Sequence, residues 1–387
     1  MNKDTNFPQR LCIYVTYNKE HKFKEYMSYM LKALKECCSK LCVVCNYQEL
    51  FGGEEYLHPY ADAVFYRKNR GYDAGAYKDT LCTLLGWDTI YEYDELILVN
   101  DSFFGPFYNL SGYFNLMEDV DCDFWGMTRH PSGELKEINY KFESHIQSYF
   151  LVFRSRVLKS NQYKEFWEKF IYPNTYLETV TNFELGINKY LRENGFVSLA
   201  LTDVWGLKFK YNENPTFYYS LDLIKDNGLP ILKKKTLLIS DKRFRNALQA
   251  VEFLERNDLY SVSCIWELID SQFYIENYAL VMENSLEVFC RKYSKIFIYG
   301  AGVCGKNMSL YLDRKGWKHE GIIVTDVAGQ DLMCTAFKDV SVDSETGIIV
   351  SVISRKASRE IAQYVSSKCS SEQLFFLSDC VALASDY

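Results

Sequence analysis

Short apolar runs that end in polar, glycine-bearing turns and lead into helix-patterned segments constrain this chain more than any other feature. Residues 11–17 and 41–46 are apolar but for Thr16 and Asn46, and 63–66 and 96–99 are shorter apolar stretches. A strand covered on both faces reads as such a run, whereas a strand with one wet face alternates. Between the first two runs, Phe23, Tyr26, Met27, Met30, Leu31 and Leu34 fall on one stripe of a helix over 23–35. A second helix is expected over 78–85, and further strands over 124–127 and 148–154. A helix over 183–193 stops at Asn194-Gly195, a C-terminal cap signal. Strands and helices alternating at this spacing predict an α/β fold with a parallel sheet between layers of helices.

The 387 residues suit two or three domains. The pattern divides at three places: an α/β domain over 1–225, a mainly helical connector over 226–292 and a small second α/β domain over 293–387. The connector opens on Asn227-Gly228-Leu229-Pro230 and then Lys233-Lys234-Lys235, with helices expected over 243–255 and 274–293. That basic run reads either as solvated or as a patch facing anionic lipid or phosphate. The formal charge of -7 argues against a general nucleic-acid binder. The 13 cysteines lie mostly in apolar runs, and the Cys42-Val43-Val44-Cys45 pair sits inside a strand instead of opening a helix. Reduced, buried thiols of a cytoplasmic protein fit that pattern better than a redox motif or a zinc site. Residues 1–6 carry no apolar signal core, and no run approaches the roughly 18 apolar residues of a membrane span. A cytoplasmic protein is expected, with contact at a membrane surface left open.

Two segments carry the chemistry. One is Asn69-Arg70-Gly71-Tyr72-Asp73-Ala74-Gly75-Ala76; the other is Glu95-Leu96-Ile97-Leu98-Val99-Asn100-Asp101-Ser102. A glycine-broken turn followed by a buried strand with a carboxylate at its tip is how an α/β protein presents a site at its strand ends. Asp101 can hold a divalent cation through oxygen, with Asn100 and Ser102 as further oxygen ligands. The same three residues also suit an ordinary turn. Gly71 and Gly75 allow a close backbone approach, and Arg67, Lys68 and Arg70 supply positive charge. Together these residues describe a pocket for a nucleotide diphosphate and a metal. The high aromatic content, 16% with 31 Tyr, suits sugars or simply aromatic-rich cores.

Four motifs now bear on kinship: Asn69-x-Gly71-x-Asp73-x-Gly75-Ala76, Leu98-Val99-Asn100-Asp101-Ser102-x-Phe104-Gly105-Pro106, Asp123-Phe124-Trp125-Gly126 and His145-Ile146-Gln147-Ser148-Tyr149-Phe150. In this order they resemble the rhamnan synthesis protein F family of bacterial polysaccharide glycosyltransferases, over roughly residues 10–220. The resemblance implies a GT-A-like domain, a nucleotide-sugar donor (rhamnose in particular) and a glycan or lipid-linked acceptor. It also implies work in the cytoplasm, at the inner membrane surface or beside other polysaccharide-assembly enzymes of the cell wall. GT-A enzymes bind the donor diphosphate through Mn or Mg on an Asp-x-Asp. Here Asn100 departs from that pair of aspartates, which leaves two readings: Asp101 as the metal residue, or transfer that needs no metal. Asn69, Arg70, Gly71, Asp73, Gly75, Asn100, Asp101 and Ser102 are then the donor-binding set. A general base for the acceptor hydroxyl is expected where a helix starts after the acceptor-side strand. Glu184 holds that place, with Glu178 and Asp123 as rivals. His145 has a role near acceptor or donor, or a structural one. Trp125 and Trp205 would stack on sugar rings or pack in the core.

The C-terminal domain has its own signature. A strand over 295–299 runs into Gly300-Ala301-Gly302-Val303-Cys304-Gly305, followed by a helix over 306–314, a strand over 321–324 and Asp326. This is GxGxxG in a Rossmann-like setting, making Gly300, Gly302, Gly305 and Asp326 a candidate nucleotide site. The domain is too short for a six-strand dinucleotide fold, so a unit that aids assembly or regulation is the other reading. Two further functions stand beside the transferase: an NAD- or nucleotide-sugar-using enzyme acting through this unit, and a degenerate, non-catalytic transferase that holds a glycan or a partner.

Overall fold

The first two apolar runs form strands β1 (Arg10–Thr16) and β2 (Lys40–Cys45), nearly every residue of which is buried. The computed structural model describes residues 8–238, 242–272, 279–327 and 334–384. Residues 1–6 and the start of the helix expected from Tyr274 lie outside the described residues. The chain divides into two units. One runs to Lys235 and takes back residues 256–260; the other comprises 236–255 and the chain from 261 on.

The first unit is built on a seven-stranded sheet. To β1 and β2 it adds β3 (Ala63–Tyr66), β4 (Glu95–Asn100), β5 (Phe124–Gly126), β6 (Phe150–Arg154) and β7 (Ser198–Ala200), in the order β3-β2-β1-β4-β6-β5-β7. Only β6 runs against its neighbours, β4 and β5; the other pairs are parallel. This mixed, mostly parallel sheet is the α/β architecture expected. The register aligns Arg10 with Glu95 and Val15 with Asn100, so β1, β2 and β4 end together on one edge. At the opposite edge Arg10 pairs with Glu95 (2.6 Å) and Glu118 (2.7 Å), so the buried guanidinium is not left uncompensated.

Helices cover both faces. In α1 (Glu25–Cys37), Met27, Met30, Leu31, Leu34 and Cys37 are buried, matching the stripe in the sequence. Thr16 Oγ1 meets Met27 Sδ at 3.7 Å on that face. Leu11, Ile13 and Val15 point the other way, into a core with Ala74, Ala76 and Tyr77 of α2 (Tyr72–Asp79) and Ile187 and Leu191 of α3 (Gly186–Glu193). Each fully buried aliphatic side chain there contributes about 1.5–3 kcal/mol. The thiols of Cys42 and Cys45 sit inside β2, where burial pushes them up to about 11 and about 12. All 13 cysteines are free.

The second unit carries a parallel five-stranded sheet of β8 (Lys295–Tyr299), β9 (Gly321–Val324), β10 (Thr335–Ala336), β11 (Thr346–Val350) and β12 (Leu374–Phe376). Its order is β10-β9-β8-β11-β12, so strand order reverses between β8 and β11. Helix α4 (Val303–Lys315) follows β8 directly, and helices Lys242–Arg256, Ser263–Gln272 and Ala279–Lys292 precede the sheet. Among the described residues no helix is long and apolar enough to cross a membrane.

Candidate functional site

Strand β4 delivers its tip to the edge where β1 and β2 also end. Asn100 Nδ2 donates to Asp73 Oδ2 at 2.7 Å, joining the two segments singled out in the sequence. Thr16 Oγ1 (2.7 Å) and the Tyr17 amide (3.3 Å) both donate to Asp101 Oδ2, and the Ser102 amide donates to Asn100 Oδ1 (3.2 Å). Asp73, Asn100 and Ser102 therefore form one hydrogen-bonded set, and Asp101 lies beside them in the chain, held by Thr16 and Tyr17. Burial pushes the Asp73 carboxyl up, against the lowering bonds from Asn100 and its neighbour's amide.

The glycines of the 69–76 turn serve a different purpose from the expected ligand approach. A Cβ on Gly75 would lie 2.1 Å from the Arg70 carbonyl oxygen, and one on Gly71 would lie 2.9 Å from the Tyr172 ring. The turn folds back on itself and under Tyr172, with Gly71 at φ 78°. Of the expected cations, Arg67 pairs with Asp79 (2.8 Å) and donates to the Arg70 carbonyl (2.7 Å), so its charge is used structurally. Arg70 stacks 4.2 Å over Tyr172 and is exposed, as are Lys68 and Asn69.

The positive charge at the site comes from elsewhere. Leu232–Lys233 pairs antiparallel with Phe103–Phe104, setting Lys233 opposite Phe103. Its ammonium donates to Ser102 Oγ at 2.6 Å and lies 4.4 Å over the Tyr149 ring. Burial pulls Lys233 down to about 8, although Glu184, Asp73 and Asp101 raise it. Lys234 donates to the Asp101 carbonyl and to Tyr26 OH. Two of the three lysines of the basic run are thus turned into the first unit. Neither was assigned to the site from sequence; the basic run itself was the available signal.

Glu184 lies among the same charges. It sits in a π-helical turn, Val180–Leu185, that runs into α3. Its Oε2 accepts from the Ser148 amide (2.8 Å) and hydroxyl (2.6 Å), and its Oε1 faces His145 Nε2 at 3.3 Å. Burial pushes this carboxyl up, but His145 and Ser148 outweigh it and hold it at about 2. His145 Nδ1 faces the Glu143 carbonyl at 3.2 Å, and its ring stacks on His130 at 5.3 Å. Asn188 clamps the Ile146 amide and carbonyl, each at 2.9 Å, which fixes the strand bearing His145. His145 and Glu184, far apart in sequence, are brought together here, a pairing the sequence did not show.

Other expected residues are not brought here. Asp123 precedes β5 and is level with Glu95, six residues back from Asp101, roughly 20 Å along the strands. It pairs with Arg156 and accepts from the Val197 amide (2.7 Å), a structural ion pair and not an acid or base of this site. Glu178 accepts from the Asn174 amide (2.7 Å) at a helix start. Trp125 is buried against Phe114 and Phe150, so it is core; Trp205 is half-buried. In the second unit Gly300 and Gly302 form the turn between β8 and α4, Gly305 lies in the first turn of α4, and Asp326 is exposed two residues after β9.

Asp101 is also the expected metal residue, which its surroundings test. Its Oδ2 already takes two donors, Asn100 stands where a second carboxylate would serve, and Lys233 and Lys234 flank it. An ammonium and a dication about 4 Å apart repel by roughly 8 kcal/mol at an effective dielectric of 20. Among the described residues no group of three or more His, Cys, Asp or Glu could hold a metal ion. This donor set does not fit a resident dication.

The chain matches the rhamnan synthesis protein F family over residues 41–298, about two thirds of its length. It is 28% identical over 203 residues to virulence protein VirA of Vibrio anguillarum, a match spanning 46% of this chain and 62% of that protein. The chain therefore covers less than two thirds of this relative. One similar solved structure is a nucleotide-diphospho-sugar transferase of Desulfovibrio desulfuricans G20 (TM-score 0.32, 13% identity, 68% of this chain and 97% of that one). Another is core-mannan synthase A of Aspergillus fumigatus in its Mn/GDP form (TM-score 0.25, 11% identity, 48% and 68%). The family match falls on a mixed α/β sheet with its charged cluster at the strand ends. The chain belongs to the rhamnan synthesis protein F family.

Proposed function

We propose that this chain moves a sugar from a nucleotide-sugar donor to a hydroxyl of a growing cell-surface polysaccharide or lipid-linked glycan. The family's name makes nucleotide-activated rhamnose the first donor to test. One observation carries the reading. The Asp73–Asn100–Asp101–Ser102 cluster and the Glu184–Ser148–His145 cluster share one electrostatic neighbourhood, with Lys233 between them in charge.

The two clusters suit the two halves of the reaction. Donor binding falls to the strand-end set of Asp73, Asn100, Asp101 and Ser102, with Gly71 and Gly75 shaping the turn. On the acceptor side, Glu184 remains ionised over the working pH range and steadies positive charge that develops at the anomeric carbon. His145 and Ser148 position that carboxylate. A general base needs a higher proton affinity than Glu184 has, and Asp73, raised by burial, is the better acceptor for the hydroxyl proton. A lipid-linked acceptor would place this work at the cytoplasmic face of the inner membrane.

The test is a thermal-shift screen of UDP-, GDP- and dTDP-sugars, followed by assay of nucleoside diphosphate release. A donor that binds the folded state raises the melting temperature by mass action. Raised melting with release of the diphosphate is expected. No shift and no release from any donor would end the transferase reading in favour of a non-catalytic binding role.

A further inference from the structure

We infer that Lys233 is the cation that receives the departing diphosphate, in place of a divalent metal ion. The inference rests on the transfer reading above and adds to it the group that neutralises the leaving group.

The position of Lys233 is built, not incidental. Pairing of Leu232 with Phe104 and of Lys233 with Phe103 fixes its backbone beside the strand-end cluster. The Lys234 amide donates to the Ser102 carbonyl (3.1 Å), and the Lys234 side chain ties down the Asp101 carbonyl and Tyr26. The Lys233 ammonium is held over Tyr149 (4.4 Å) and Phe103 (6.0 Å). Tyr149 is itself fixed by Thr128 at 2.8 Å. An ammonium has three donors, and among the described residues the hydrogen-bond acceptor of this one is Ser102 Oγ. Two donors are left for oxygens that a bound anion brings. The nearby Asp101, with two donors already on one oxygen and two lysines beside it, is poorly placed to recruit a dication.

In the transfer step the acceptor oxygen bonds to the anomeric carbon as the bond from that carbon to the diphosphate oxygen breaks. The bonding pair leaves on the diphosphate, and the hydroxyl proton passes to a carboxylate of the site. The charge arriving on the diphosphate is what Lys233 meets, through hydrogen bonds made strongest when the bond is broken.

The experiment uses the full chain and measures release of nucleoside diphosphate from the donor found in the screen, in EDTA and in Mn. Wild-type turnover is expected to be equal within about twofold in the two buffers. Lys233→Met is expected to lose at least about 100-fold in kcat and to weaken binding of the free nucleoside diphosphate at least tenfold. Lys233→Arg, which keeps the charge, recovers most of both. Unchanged melting of Lys233→Met excludes a folding defect. Should that variant unfold, Lys233→Arg and the EDTA comparison still decide. Wild-type turnover abolished by EDTA and restored by Mn, or a Lys233→Met enzyme as fast as wild type, overturns the inference while the transfer reading stands. A wild type that neither binds nor turns over any donor in either buffer removes both.

Discussion

Both units place a glycine-bearing turn between a parallel strand and a helix, and the two turns close in the same way. A Cβ on Gly75 would come within 2.1 Å of the Arg70 carbonyl, and one on Gly305 within 1.7 Å of the Gly300 carbonyl. What surrounds them differs. The first turn ends beside Asp73, Asn100 and Lys233, an arrangement rich in charge. At the second, the Cys304 thiol donates to Asp270 (3.5 Å) within the protein, and burial raises both groups. A glycine pattern reports how closely backbone approaches backbone; the charged side chains decide whether a polar ligand is served.

The largest expected effects test whether the turns are equivalent as structure. Gly305→Ala and Gly75→Ala both force a methyl group onto a backbone oxygen, and each is expected to destabilise by about 3–5 kcal/mol. Hydrogen exchange resolved by peptide checks this: Gly75→Ala should loosen the first unit's sheet and Gly305→Ala the second's. A variant that leaves exchange unchanged would show that its turn can open at little cost.

The next effect belongs to the first unit alone. Glu184 is lowered from its ordinary 4.5 to about 2, so the folded state favours the carboxylate. A shift of that size is on the order of 3 kcal/mol. With the folded value depressed, this stability is present above about 4.5 and is lost as pH falls through about 2. Glu184→Gln should therefore be less stable than wild type at neutral pH, with the gap closing in acid. Denaturant melts at a series of pH values measure it, and a gap that persists at the lowest pH would contradict the assigned cause.

The reach of the sequence is clearest in particular residues. Strands β1, β2 and β4 were legible because both faces are buried, which leaves unbroken apolar runs such as Leu41–Cys45. Glu184 and His145 were each singled out in the sequence, but their contact, across 39 positions, was not. Strand β7, three residues long, was not read, since so short a segment has no period to detect. The π-helical turns Thr80–Leu84 and Val180–Leu185 were hidden inside ordinary helical spacing. Lys233 was missed as a site residue for another reason. It reaches Ser102 across 131 positions through a two-residue ladder, a contact that no local pattern encodes. Asp123 shows the converse: its motif pointed to a site, but the direction of β5 puts it at the far edge of the sheet.

A smaller effect compares the acidic residue of each unit. Asp73→Asn should slow transfer by roughly 100-fold, in the range for loss of a positioned base. Because burial raises Asp73, the acid limb of the wild-type kcat/KM profile should lie above the usual carboxylate range and disappear in the variant. Asp326→Asn, at the exposed acid after β9, should leave transfer unchanged. Equal losses in both variants would mean that the second unit takes part in the reaction.

The smallest effect decides what the second turn is for. Ser351 lies just past β11, beside the point where strand order reverses, and its amide donates to the Tyr299 carbonyl (3.0 Å). Its hydroxyl is buried without a hydrogen-bond partner among the described residues. An unsatisfied buried hydroxyl costs free energy, so Ser351→Ala should be neutral or stabilising by up to about 1 kcal/mol. If a nucleotide occupies the turn and bonds this hydroxyl, the outcome reverses. NAD or a nucleotide sugar would then raise the melting of the second unit in wild type, and Ser351→Ala would lose part of that rise. Stabilisation without any ligand-dependent shift would leave the turn as a closed structural joint, and would confine the transfer chemistry to the charged turn of the first unit.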